Sequence, residues 1–178
     1  MEHNMRLNDE EQKLFFSIYY PLLFYYNGYF KIFKNIKKFD NMFDLHTADY
    51  IKIRDKIFED KKVIEYFIED NREVLGKSKI AILNKWIKEA RNIECLFIKS
   101  NRTSKFIDLS TNEEIKIIGI SEDPDIMEIF NYWPLVIRAV IMPFQKKIIW
   151  DGLFTVENVI IDERIKKALR KSIEQEEI

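Results

Sequence analysis

Chemistry in this chain would have to come from very few residues. Only two histidines, His3 and His46, and one cysteine, Cys95, are present, so a zinc site of the usual ligands would need several carboxylates to complete it. His46 lies between Asp44 and Asp49, just ahead of an expected helix, which suits a polar linker residue better than a catalytic base. Cys95 falls in the apolar run Ile93–Ile98, where burial makes a thiol inert. A Gly-rich phosphate loop, a Gly-x-Ser-x-Gly elbow and a helically spaced histidine pair do not occur. The acids Glu122, Asp123, Asp125 and Glu128 coincide with an expected helix N-terminus, which favours carboxylates without any metal, and they lack the spacing of a calcium loop. Asp151 precedes Gly152, and the pair reads as a tight hairpin turn. No catalytic residue, cofactor or metal is expected. A carboxylate enzyme would need distant acids such as Asp108, Asp125 and Asp151 gathered in one pocket.

Binding is the other kind of chemistry, and two surfaces present themselves. Between Lys77 and Arg102 the residues Lys77, Lys79, Lys85, Lys88, Arg91, Lys99 and Arg102 face only Glu89 and Glu94, seven bases against two acids and a net of +5. Such a cluster can neutralise phosphates, with Trp86 as a conceivable stacking partner for a base. The second surface is aromatic. Phe15, Phe16, Tyr19, Tyr20, Phe24, Tyr25, Tyr26, Tyr29, Phe30 and Phe33 cover more than one side of the first helix. A single stripe cannot bury them all, so Phe16, Tyr20, Phe24 and Tyr25 are candidates for a partner interface, in a hetero-complex or a homo-oligomer. A helix buried all round is the competing expectation.

The elements that must position these residues follow from hydrophobic period. Asn8 or Asp9 with Glu10 and Glu11 starts a first helix whose apolar spacing persists to about Phe43, with a kink or break expected at Pro21. Thr47 is expected to cap a second helix carrying Tyr50, Ile53, Ile57 and Phe58. A third helix runs from about Lys61, and a fourth from near Ser78 with Ile80, Leu83, Trp86, Ile87 and Ala90 on one stripe. The period then changes to short β-rich runs at Ile93–Lys99, Lys105–Leu109 and Glu114–Ile120. A short helix from Asp123 to Phe130 follows, then a buried strand from Val136 to Met142 ended by Pro143, then a hairpin turning at Asp151-Gly152, then a last helix over Asp162–Glu174.

The fold class is therefore α+β: an N-terminal helical bundle (1–92) packed on a small antiparallel sheet or SH3-like barrel with a C-terminal helix (93–178), sharing one core. The string Pro143-Phe144-Gln145-Lys146-Lys147-Ile148-Ile149-Trp150-Asp151-Gly152-Leu153, placed after a helical half and a β-meander, resembles a recurring segment of uncharacterised bacterial proteins of this layout. Lys146 and Trp150 stand where that segment carries a glycine and a tyrosine. The resemblance implies the architecture and no particular activity.

Composition bounds the rest. With 47% hydrophobic and 33% charged residues the chain has the balance of a folded domain. A net charge of -1 gives no global attraction for nucleic acid or anionic membrane, so such binding would need a local patch. Leu14–Phe30 carries no charge, but its tyrosines, Asn27, Gly28 and Pro21 argue against a membrane span. A single cysteine and the lack of a leader pattern fit a reducing cytoplasm. The leading expectation is a non-enzymatic binding or adaptor protein. The alternative is a nucleic-acid-associated protein of a plasmid, phage or defence system, using the Lys77–Arg102 patch.

Overall fold

A computed structural model of the chain describes residues 6–99, 104–120 and 135–157, together with Glu163, Ile165 and Lys166. The expected helix from Asp123, the acids Glu122 to Glu128, Arg102, His3 and most of the expected last helix lie outside the described residues.

Helix α1 (Asp9–Phe30) begins in a capping box: the Asn8 side chain accepts from the Glu11 amide at 2.9 Å, and the Glu11 carboxylate accepts from the Asn8 amide at 3.0 Å. It runs through Pro21 as one helix, so of the two expectations there the pair of abutting helices is not formed. It also ends well before Phe43. Lys31 adopts a left-handed φ of 53°, and the buried Asn27 side chain bonds both backbone groups of Phe33, which turns the chain out of the helix. A 3-10 helix (Phe39–Asp44) follows. Helix α2 (Thr47–Glu59) has His46, not Thr47, at its cap, and no side chain bonds the free amides there. Helices α3 (Lys62–Asp70) and α4 (Arg72–Glu89) succeed it, and α4 is broken at Gly76, whose φ of 68° is open to glycine without penalty.

Strands β1 (Arg91–Lys99), β2 (Ser104–Asp108), β3 (Glu114–Ile117), β4 (Leu135–Phe144) and β5 (Lys147–Val156) form one antiparallel sheet in the order β3-β2-β1-β4-β5. Just past β3, Ile118 donates to the Ile148 carbonyl at 3.1 Å and accepts from the Trp150 amide at 3.3 Å, which draws the first and last strands together and curls the sheet into a half-barrel. Alternation along β4 divides the interior. Ile137, Ala139 and Ile141 turn into the curl with Phe97, Phe106 and Trp150, whose rings meet at 5.2–5.4 Å. Val140, Met142 and Phe144 turn the other way and join the helices in one core. Phe15 contacts Phe144 and Trp86 at 5.9 and 5.8 Å, and the Trp86 indole donates to the Pro143 carbonyl at 2.9 Å. Ile165 covers Leu96, Ile107 and Val136 on a smaller third cluster.

Two expectations about the last strands are corrected. Pro143 does not end β4, which continues to Phe144; opposite Ile148 and beside the turn, a proline removes a ladder bond only near the end of the strand. The turn itself falls at Gln145-Lys146, with Gln145 at φ 55°, so Asp151-Gly152 lies inside β5 and is no hairpin turn.

Two carboxylates make the fold sensitive to acid. Glu11 is raised by partial burial but lowered more by Lys147, whose ammonium lies 2.6 Å from it, and the Asn8 amide together, so it ends below the ordinary carboxylate value. Asp108 is likewise raised by burial and lowered more by bonds from Ser110 and Thr111 and by Arg91. Both groups hold protons less tightly in the folded chain than in the unfolded one. Their contribution is complete above the unfolded value and is lost as pH falls through the folded one. Urea midpoints measured from about pH 5 down to about pH 3 should fall, and Glu11→Gln and Asp108→Asn should each flatten that slope; unchanged slopes would refute both assignments.

Candidate functional site

Asp151 is the acid that the fold places in the least expected surroundings. Three β5 residues, Asp151 to Leu153, stand opposite Val140 between the pairs Ala139↔Phe154 and Ile141↔Trp150, a bulge that Gly152 accommodates with φ 77°. The bulge aims the Asp151 side chain at the helices. There it accepts from the Tyr19 hydroxyl of α1 at 2.5 Å, from Arg54 Nη1 of α2 at 2.9 and 3.2 Å, and from the Leu153 amide at 3.0 Å. Arg54 also donates to the Leu153 carbonyl at 2.6 Å and, through Nε, to Asp55 at 2.8 Å. The Arg54 and Asp151 side chains are each 1% exposed.

Burial pushes the Asp151 carboxyl above the ordinary carboxylate range, against the pull of Arg54, Tyr19 and the Leu153 amide. Burial and the neighbouring Asp151 push the Tyr19 hydroxyl well up, so it remains a donor. Burial disfavours the Arg54 cation, but Asp151, Tyr19 and Asp55 outweigh it and its value lies above the usual guanidinium one. All four acceptor positions of the carboxylate are filled. A proton-transfer group needs a face open to substrate; this one is a clamp joining α1, α2 and β5. Asp108 does not meet it. That acid stays at the end of β2 with Ser110 and Arg91, so these two acids are not gathered in one place.

The aromatic residues behave differently. Phe16, Tyr20 and Phe24 recur every fourth residue of α1 and therefore lie in one line; with Tyr25 they are all half-buried. Ring contacts continue onto the 3-10 helix: Phe16–Tyr20 at 5.1 Å, Tyr20–Phe43 at 5.5 Å, Phe43–Phe39 at 5.7 Å and Phe39–Phe24 at 5.7 Å. Phe43 is 58% exposed and Phe39 37%. The opposite side of α1, with Phe15, Ile18, Tyr19, Leu22, Leu23 and Tyr26, is core. Beside the line of rings, a groove of about 460 Å³ is lined by Pro21, Phe24, Tyr25, Phe39, Phe67 and Asp70. α1 is thus neither buried all round nor free: one side holds the molecule together and the other shows aromatic surface.

The basic residues divide. Lys77, Lys85 and Lys88 are exposed and fall on one side of α4, while Lys79 is half-buried on the other. Arg91 lies on β1 and faces Asp108 at 3.5 Å and Glu113 at 3.6 Å. The side chains of Lys99 and Arg102 lie outside the described ones. Trp86 is fully buried and offers no face to a base. His46 is exposed at its helix cap and Cys95 is buried, its thiol pushed up chiefly by burial. Among the described residues no group of three His, Cys, Asp or Glu is placed to hold a metal ion, and no helix is long and apolar enough to cross a membrane.

In comparisons with known proteins, no family model, no curated protein and no solved structure matches the chain. Sequence reasoning missed the clamp altogether. Its one visible signal was an arginine next to Ile53 and four residues before Phe58, on the face of α2 that turns inward.

Breaking the clamp from one side leaves a buried charge without its partner. Arg54→Ala is expected to lower unfolding free energy by about 3–5 kcal/mol, whereas replacing Tyr19, Arg54 and Asp151 together by Phe, Met and Leu should recover most of that. Chemical denaturation checks both, and a loss below about 1 kcal/mol for Arg54→Ala would contradict the assignment.

Proposed function

We propose that this chain is a non-enzymatic binding protein that docks a partner protein on the aromatic surface formed by α1 and the 3-10 helix. The observation that carries this reading is the unbroken line of ring contacts from Phe16 to Phe39, which ends in two exposed phenylalanines. Large rings kept at the surface leave apolar area in water, and burying them against a partner recovers about 25 cal/mol per Å². Aromatic residues are also the type enriched at the centres of protein interfaces. The clamp supports the same reading, because it keeps the rigid side of α1 fixed while the outer side stays available.

A photo-crosslinking residue at Phe43, in the cells that make this protein, should yield a discrete adduct that Tyr20→Ala weakens. The same residue at Val156, which is 43% exposed on β5, should not. Equal labelling from both positions, or none from Phe43, would remove the reading.

A nucleic-acid-associated protein is the second reading, favoured by the shared exposed side of Lys77, Lys85 and Lys88. Its prediction is retardation of DNA or RNA that weakens steeply with salt and is lost when these three lysines become glutamates. No retardation at low salt would retire it.

A further inference from the structure

The groove beside the ring line has a chemistry of its own. Its lining is aromatic, with Pro21 and Gly28, except at the end of α3, where Asp70 and Asn71 stand. The Asp70 carboxylate accepts from the Tyr25 hydroxyl at 2.6 Å, and among the described residues no basic side chain pairs with it. Glu69 adds a second negative charge near the same hydroxyl. Burial, then Asp70, Tyr29 and Glu69, all push the Tyr25 hydroxyl up. Both acids occupy the last turn of α3, the end whose free carbonyls disfavour carboxylates, and no basic residue stands in that turn.

Aromatic faces present the negative side of their quadrupole to a cation within about 6 Å, and a nearby carboxylate adds a directed charge-assisted bond. Here the Tyr25 ring lies 5.3 Å from Phe67 and 6.3 Å from Tyr29, while Phe24 and Phe39 meet at 5.7 Å across the same groove. We propose that this groove receives an arginine or lysine side chain of the partner polypeptide, its cation packed on the aromatic rings and paired with the Asp70 carboxylate. This rests on the docking reading above and adds the partner's chemistry: a segment that brings a cation next to the apolar contacts at Phe39 and Phe43. A neutral or acidic segment would leave Asp70 unpaired in the covered groove.

The probe is a short Gly–Arg repeat peptide, with the Gly–citrulline repeat as its neutral counterpart of the same shape, titrated into the full chain at low salt while ring signals of Tyr25 and Phe39 are followed by NMR. The Arg peptide should shift both signals saturably, Asp70→Asn should weaken binding about tenfold, and Phe39→Ala should abolish it. Asp70 is exposed, so its amide variant should keep the parent's thermal midpoint. Equal binding of the citrulline peptide, an unchanged Asp70→Asn variant, or no binding of the Arg peptide would each overturn the proposal. Self-association that Asp70→Asn abolishes, without peptide binding, would assign the groove to a second copy of this chain and overturn it too. If position 43 still crosslinks to a partner while the Arg peptide does not bind, this inference fails and the docking reading stands.

Discussion

A guanidinium and a carboxylate taken out of water together govern how the helices sit on the sheet. Neither charge tolerates burial alone, and each is stabilised only while α2 and β5 keep Arg54 and Asp151 within 2.9 Å. The Tyr19 hydroxyl adds α1 to the same point. Apolar packing between helices and sheet would accept small slides, since dispersion and hydrophobic burial are not directional. The ion pair does not, because a shift that separates its atoms exposes the full cost of desolvation. Shape complementarity around Phe15, Trp86 and Phe144 and the polar clamp beside it therefore have different roles: the first supplies most of the stabilisation and the second selects one arrangement.

That arrangement divides α1 into two surfaces of similar composition and different fate. Tyr19 and Tyr20 are neighbours in the chain, yet Tyr19 is sealed against Asp151 while Tyr20 stacks on Phe16 at the surface and meets the exposed Phe43. The 3-10 helix extends the outer surface without covering it, because the chain leaves α1 at Lys31 and returns with Phe39 and Phe43 beside the rings of α1. The proposed docking rests on this geometry. A helix that anchors the core on one side is rigid, and a rigid aromatic surface loses little conformational entropy when a partner covers it.

Much of this architecture was legible in residue order. Helical spacing over the first ninety residues, the change to short β-rich runs at Ile93, and the buried positions of Trp86 and Cys95 all follow from period and composition, which act locally. Local rules failed where a distant group changed the outcome. Pro21 was expected to kink α1 or divide it into two abutting helices, and a helix packed along its length continues past one missing bond as a single element. The apolar spacing beyond Phe30 suggested more helix, and the Asn27 amide, by bonding both backbone groups of Phe33, turned the chain instead.

Asp151-Gly152 marks the boundary most clearly. By itself the dipeptide specifies a position tolerant of positive φ, and Gly152 has that conformation. Whether such a position becomes a hairpin turn or a bulge depends on which residues lie across the ladder, and pairing with β4 placed the turn six residues earlier, at Gln145. The sequence by itself determined the element types, the inward faces and the excess of aromatic residues on α1, because these depend on neighbours within a few positions. Only the tertiary structure decided that Asp151 meets Arg54 across 97 residues and Tyr19 across 132, since the energy of a buried charge is set by what surrounds it in space.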